Sequence, residues 1–259
     1  MIIGAQLYSV RVKCGNEADV KETFKKLADM GYKSVQVSGF KYNAEYVRSV
    51  ADEYGLHIGL THTPVDEIIN DVDEVIRKHK VLGADVVGVG GAFGVYMDKA
   101  TGKILIDNFI RDISPAVEKI EAAGLKFAFH NHAKEFEDYG GYTVMDKLFE
   151  TTSWLFTFDT GWAHVAGADV LALIEKYKDR LQYVHLKDFG APVEGDGGVH
   201  TRICPLYKGC VPVDEIIKKL IEVGTVKVAY VEQDNASDRE DPIGEMKTSI
   251  EGLGAHGWV

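Results

Sequence analysis

Short β-rich apolar runs alternate with longer amphipathic runs along the whole chain, and this alternation constrains the fold more than any other sequence feature. It is typical of repeated strand–helix units around a parallel sheet. Most of the short runs are continuously apolar, as strands buried on both faces should be. Eight strands are predicted, at residues 2–7, 34–37, 57–60, 85–89, 126–129, 155–159, 181–186 and 227–232.

The runs between these strands predict amphipathic helices. The clearest covers residues 18–31, where Val20, Phe24 and Leu27 share one face and a glycine follows as a stop signal. Eight strands with no spare element favour a closed barrel over an open doubly wound sheet, whose first turn would carry a glycine-rich dinucleotide motif that this chain lacks. We therefore predict an α/β fold, a single-domain (β/α)8 TIM barrel over residues 1–259, with predicted helices that end in glycine at 65–83, 109–124 and 213–224.

Charge and composition exclude several classes of function. A formal net charge of −11 opposes attraction to nucleic-acid phosphates. The first residues lack the basic and apolar regions of a signal peptide, and no run reaches the roughly 18 apolar residues of a membrane-spanning helix. The 3 cysteines form no pairing motif, which suits a reducing compartment. We expect a cytoplasmic protein that binds neither nucleic acid nor membrane.

Acidic and imidazole side chains follow each of the last four predicted strands, at the end of the barrel where active sites lie. Carboxylates that converge on one point repel one another unless a cation neutralises them, so the pattern predicts one divalent metal. Mixed oxygen and nitrogen ligation suits Mn, Mg, Zn, Co or Fe and does not choose among them. The side chains are His130, His132 and Glu135, then Asp159 and His164, then His185 and Asp188, then Glu232 and Asp234.

Four motifs near these strand ends resemble those of the sugar isomerase/epimerase superfamily with the xylose-isomerase-like barrel. That superfamily includes ketose 3-epimerases, hydroxypyruvate isomerases, inosose dehydratases and an abasic-site endonuclease branch. The resemblance covers the whole chain. It implies one metal bound by Glu, Asp, His and Glu from strands five to eight, with both glutamates also acting as acid and base. The motifs are HNHxxEF at 130–136, DTGWAHVAG at 159–167, VHLKD at 184–188 and VEQD at 231–234.

This chain departs from the implied ligand set at its first position. His130 stands where many relatives have a glutamate, so we expect Glu135 to supply the carboxylate, with His130 or His132 as the competing ligand. Gln36, at the end of the second strand, is a further departure from a glutamate often found there. Glu135 and Glu232 are the predicted acid and base, and the predicted metal ligands are Glu135, Asp159, His185 and Glu232.

The resemblance also implies substrate-binding residues. Arg202 lies in HTRICPLYKG, which is similar to the family's loop after strand seven, although a plain surface arginine is the alternative. His62 follows strand three, where relatives line the pocket, and a structural histidine is the alternative. Lys187 is interpreted as a substrate ligand or as an electrostatic partner of Asp188. The predicted substrate-binding residues are His62, His130, His132, Lys187 and Arg202.

The expected reaction is metal-assisted proton transfer next to a carbonyl, through an enediolate. The prediction is a sugar or sugar phosphate isomerase/epimerase with a small-molecule carbohydrate substrate. A dehydratase or lyase acting on a keto-sugar or keto-inositol is the alternative, because it uses the same metal site. An abasic-site nuclease is a remote alternative that the acidic charge opposes, and a sugar-binding barrel without catalysis is opposed by the retained Asp159, His185 and Glu232. Related barrels associate, so a homodimer or homotetramer is expected.

Overall fold

The computed structural model describes residues 1–92, 96–193 and 198–259. Short 3-10 helices supplement the regular elements. The strands are β1 Ile2–Gln6, β2 Ser34–Gln36, β3 Val86–Val89, β4 Lys126–His130, β5 Leu155–Asp159, β6 Leu181–Leu186, β7 Asp188–Phe189, β8 Ile203–Cys204 and β9 Val228–Val231. The helices are α1 Glu17–Asp29, α2 Ala44–Glu53, α3 Val65–Asn70, α4 Val72–Leu82, α5 Ile106–Ala122, α6 Val144–Thr151, α7 Thr160–Val165, α8 Val170–Tyr177, α9 Val213–Val223 and α10 Pro242–Ala255.

Seven of the strands form one parallel sheet in the order β2-β1-β9-β6-β5-β4-β3. The third predicted strand, 57–60, closes this sheet into a ring without forming a regular strand. It makes parallel bridges to both edges, through Ser34 with His57 and through Leu60 with Val86. The predicted TIM barrel is therefore confirmed, and β3, β4, β5, β6 and β9 correspond to predicted strands four to eight.

Two buried tyrosines fill the inside of the barrel. They have room because the facing strands carry glycine: a Cβ on Gly4 would lie 2.5 Å from the Tyr230 ring, and one on Gly59 would lie 2.5 Å from the Tyr183 hydroxyl. The interior is a packed core, as is usual for this fold. This separate inner cluster consists of Leu60, Val86, Ala128, Tyr183, Val228 and Tyr230.

The helices cover the outside of the sheet through the larger apolar cluster. Three of the predicted runs end as expected, with glycine in the left-handed region at Gly83, Gly124 and Gly224. The run predicted as one helix over 65–83 is two helices, α3 and α4, because Asp71 between them has φ −140° and ψ 43° and interrupts the helical backbone. Among the described residues, no helix combines the length and apolar character needed to cross a membrane.

Candidate metal centre

Four buried side chains meet at the C-terminal ends of four neighbouring strands. They are His130, Asp159, His185 and Glu232, and one ligand atom from each lies within 4.8 Å of the others. Strand register produces this meeting, because Asp159 lies opposite His185 across β5 and β6, and Glu232 immediately follows β9. The parallel sheet thus delivers two carboxylates and two imidazoles to one point. This group differs from the predicted ligand set at one member, since it contains His130 where Glu135 was predicted.

The facing atoms of this group are close together but do not form well-aligned hydrogen bonds. Asp159 Oδ2 lies 3.5 Å from His130 Nε2 and 3.7 Å from His185 Nδ1. Glu232 Oε2 lies 2.7 Å from His185 Nδ1 and 3.8 Å from His130 Nε2. Within the described residues, each of these buried atoms lacks a hydrogen-bond partner. Buried donor atoms of this composition fit a divalent cation, which would satisfy all four at once.

Neighbouring groups hold two of these side chains in place. Asp159 Oδ1 accepts the Trp162 backbone N–H at 2.8 Å at the start of α7, which leaves Oδ2 facing the group. The Asn131 amide makes two hydrogen bonds to the Asp159 backbone, at 2.9 and 3.1 Å. Gln36 Oε1 accepts a hydrogen bond from His185 Nε2 at 2.6 Å, so Nδ1 of the same ring faces the carboxylates. Such partners fix the orientation and tautomer of metal-binding side chains.

Lys187 contacts the carboxylates of this group. Its Nζ is fully buried and lies 3.0 Å from Asp159 Oδ2, 3.1 Å from Glu232 Oε2 and 2.5 Å from Asp234 Oδ2. The predicted partner Asp188 instead accepts the backbone N–H groups of Gly209 and Val211. Lys187 therefore belongs to the charge balance of this site.

These charges move the pKa values of the group apart. Burial works to lower the pKa of His185, but Glu232 and Asp159 outweigh it and raise the pKa to about 9. Burial works to raise the pKa of Asp159, but Lys187 and the neighbouring imidazoles hold it well below its usual range. With this pKa His185 is protonated at neutral pH, and a cation bound by its ring would displace that proton.

A cavity of about 560 Å³ opens over this group. Two of its histidines, His62 and His132, flank His130, with ring centroids 5.0 and 4.7 Å from that of His130. Burial holds the pKa values of His62 and His132 well below their usual range, so both rings are neutral. The lining residues include Arg11, His62, His130, His132, Glu232 and Asp234.

Arg202 is not among the described residues that line the cavity. Arg11, which was not predicted from the sequence, does line it. Arg202 Nη1 donates to the Gly190 carbonyl at 3.2 Å. Arg11 lies in the 3-10 helix Leu7–Lys13 that follows β1. Its guanidinium lies 3.9 Å above the centre of the Tyr8 ring, and its Nη1 donates to the Asp234 carbonyl at 3.1 Å. The available signal was its position after the first strand, where barrel active-site loops occur.

Glu135 is not a member of the group of four. It belongs to a short 3-10 helix after β4, and its Oε2 accepts the His132 backbone N–H at 2.8 Å. Burial raises the pKa of Glu135 to about 7, although backbone N–H groups partly counter this effect. His130, at the end of β4, occupies the position that the sequence left open, while the predicted ligand and acid–base roles of Glu135 stay predictions.

We expect Glu135→Gln to flatten the pH dependence of stability in the metal-free protein. The folded pKa of about 7 exceeds the ordinary 4.5, so the native state binds more protons than the unfolded chain between these values. The free energy of unfolding should therefore be highest below pH 4.5 and should fall by about 3 kcal/mol as the pH rises through 7. Urea unfolding at pH 5 and pH 8 with a chelator measures this, with the exposed Glu150→Gln as the control. If the unfolding free energy of Glu135→Gln changed with pH as much as that of the wild type, the raised pKa of Glu135 would be contradicted.

Comparison with known proteins identifies the family. The profile of the xylose isomerase-like TIM barrel family matches residues 24–254 of the chain. The chain belongs to this family. Inosose dehydratase of Salmonella typhimurium is 42% identical to the chain over 72 residues, which is 26% of this chain and 23% of that protein. The alignment thus spans about a quarter of the length of this curated relative. The family match confirms the superfamily resemblance of the motifs.

Solved structures share the family's fold over almost the whole chain. A sugar phosphate isomerase/epimerase from Parabacteroides distasonis superposes with a TM-score of 0.77 at 21% identity and covers 99% of both chains. The IOLI protein, solved with a bound zinc atom, superposes with a TM-score of 0.75 at 13% identity, covering 98% of this chain and 97% of that one. At these identities the likeness establishes the family's barrel in this chain.

Proposed function

We propose that this protein is a divalent-metal enzyme that moves a proton next to the carbonyl of a sugar or polyol ketone. One observation carries the proposal: His130, Asp159, His185 and Glu232 converge within 4.8 Å, buried beside a cavity. Its volume of about 560 Å³ suits a small polar molecule. The family, and the zinc bound by the IOLI protein, support the same reading.

The four side chains would hold the metal through two imidazole nitrogens and two carboxylate oxygens. A bound divalent ion would supply Lewis-acid polarisation of the substrate carbonyl, which acidifies the neighbouring C–H. Gln36 and Asn131 keep His185 and Asp159 oriented toward the cation through the hydrogen bonds described above. Lys187 stabilises the negative charge that remains on Asp159 and Glu232.

Glu232 is the proposed proton acceptor, because it is a carboxylate of the group that also lines the cavity. Lys187 and His185 hold its pKa well below its usual range against the effect of burial, so it is ionised before substrate binds. The neutral ring of His62 offers Nε2 at the cavity wall for a substrate hydroxyl, and the ring of His132 lines the same cavity. Since the same proton removal starts both reactions, it serves isomerisation or epimerisation and, if a β-hydroxyl then leaves, dehydration.

The dehydratase is the second candidate, and a specific observation favours it. The curated relative aligned with this chain at 42% identity over 72 residues is an inosose dehydratase. A cyclic polyol ketone is therefore a substrate class to set beside open-chain ketoses. The two candidates differ in whether water is lost after the shared proton removal.

Proton exchange tests the proposal before the substrate is known. The metal-loaded protein is incubated in D2O with ketoses, keto-inositols, hydroxypyruvate and 3-keto-glycosides, and each mixture is followed by NMR. We expect deuterium to enter the carbon next to the carbonyl of at least one compound, and chelation of the metal to stop this exchange. A product lacking water identifies the dehydratase. Absence of both exchange and elimination across the panel, in protein shown to hold metal, counts against the proposal.

A further inference from the structure

We propose that His130 makes this site selective for nitrogen-preferring divalent metals, the class of zinc, cobalt and ferrous iron, over magnesium. The inference rests on the proposed function, because it concerns the same metal site. Mixed oxygen and nitrogen ligation alone suits Mn, Mg, Zn, Co or Fe.

The donor set contains two imidazoles, His130 and His185, beside two carboxylates, Asp159 and Glu232. Imidazole suits zinc, cobalt, iron and nickel, whereas magnesium prefers carboxylate, carbonyl and water oxygens. A glutamate in place of His130 would give three carboxylates and one imidazole. Compared with a glutamate at this position, His130 supplies a nitrogen donor in place of a negatively charged oxygen donor.

The charges around the site also disfavour magnesium. Lys187 Nζ already lies 3.0 Å from Asp159 Oδ2 and 3.1 Å from Glu232 Oε2. The nearby carboxylate of Asp234 is 2.5 Å from the same ammonium group. Since magnesium binding depends on carboxylate charge and tolerates little distortion, two carboxylates shared with an ammonium group make a weak magnesium site. A metal that gains affinity from nitrogen donors depends less on that charge.

The geometry around His130 favours its role as a nitrogen donor to the metal. Its ring packs beside His62, His132 and His185, with centroids 5.0, 4.7 and 4.6 Å away. Both ring nitrogens are buried without a hydrogen-bond partner among the described residues, and Nε2 faces the two carboxylates.

Metal affinities of wild-type protein and His130→Glu test the proposal. Dissociation constants for zinc and magnesium are measured by competition with a chromophoric chelator, without substrate. Because most protein sites bind zinc more tightly than magnesium, the quantity compared is the ratio of the two constants. We expect the preference for zinc to fall by at least about tenfold in His130→Glu. Changing a residue that only hydrogen-bonds to a metal ligand already lowers metal affinity by about tenfold or more. His164→Gln, which changes a histidine outside the group of four, should keep the wild-type ratio.

X-ray absorption at the zinc edge counts imidazole ligands directly and does not depend on folding of His130→Glu. We expect two imidazoles in wild-type protein and one in His130→Gln. One imidazole in wild-type protein, or an unchanged zinc-to-magnesium ratio in His130→Glu, overturns the inference and leaves the metal enzyme standing. Failure of wild-type protein to bind any divalent metal overturns both, so the two failures are distinguishable.

Discussion

Replacing Glu232 with glutamine is expected to lower turnover by about 10²- to 10⁴-fold, the usual contribution of a general acid or base. The amide has nearly the same shape but cannot accept the substrate proton. The same change removes a carboxylate that lies 2.7 Å from His185 Nδ1, so metal affinity should also fall. The measurement is the rate of deuterium exchange at saturating metal, with bound metal determined in the same samples.

The matched control for this variant is Glu240→Gln, which neutralises an exposed carboxylate beyond the same strand. We expect wild-type exchange from it. Unchanged turnover in Glu232→Gln with metal still bound would show that the proton goes to another group, and the neutral cavity histidines would then be the groups to examine.

Replacing Lys187 with methionine is expected to destabilise the metal-free protein by about 3–5 kcal/mol, the usual cost of removing one partner of a buried charge pair. The ammonium group is fully buried and lies within 3.1 Å of carboxylate oxygens from Asp159, Glu232 and Asp234. Without it these carboxylates retain their desolvation cost and lose their counter-charge. Urea unfolding with a chelator present measures the loss.

The sign of the pH effect follows from the carboxylate pKa values. Lys187 holds the pKa values of Asp159 and Glu232 well below their usual range, so their contribution to stability is present above the ordinary carboxyl pKa and is lost in acid. The difference between wild type and Lys187→Met should therefore be larger at pH 7 than at pH 4. Zinc should restore much of the loss, because the cation supplies positive charge to the same oxygens. Lys208→Met, at an exposed lysine, is the control. A decrease of less than about 1 kcal/mol in the unfolding free energy of Lys187→Met would contradict the role of Lys187 as counter-charge to the buried carboxylates.

The barrel and the rim that carries the site were predictable because both depend on periodic features. Buried strands and their polar ends are local in sequence, and parallel register then brings the ends together. Two details were not local. The segment 57–60 closes the barrel through isolated bridges, and Asp71 divides a run whose apolar spacing reads as one helix.

The positions of His130, at the strand end, and Glu135, in the following 3-10 helix, depend on the backbone path after β4. The ligand role of Glu135 stays a prediction. Three-residue spacing alone does not reveal that the Glu135 carboxylate turns back to the His132 N–H. The position of Lys187 was also hidden, because its partners Asp159, Glu232 and Asp234 come from two other strand ends. Side-chain direction at a loop start depends on such long-range contacts rather than on the local pattern.

An anomalous difference map from crystals grown with zinc, recorded at the zinc edge, tests the central claim most directly. We predict one strong peak within about 2.0–2.2 Å of a ligand atom from each of His130, Asp159, His185 and Glu232. A peak coordinated by Glu135 in place of His130, or no peak at this end of the barrel in crystals that contain zinc elsewhere, would contradict the site as assigned.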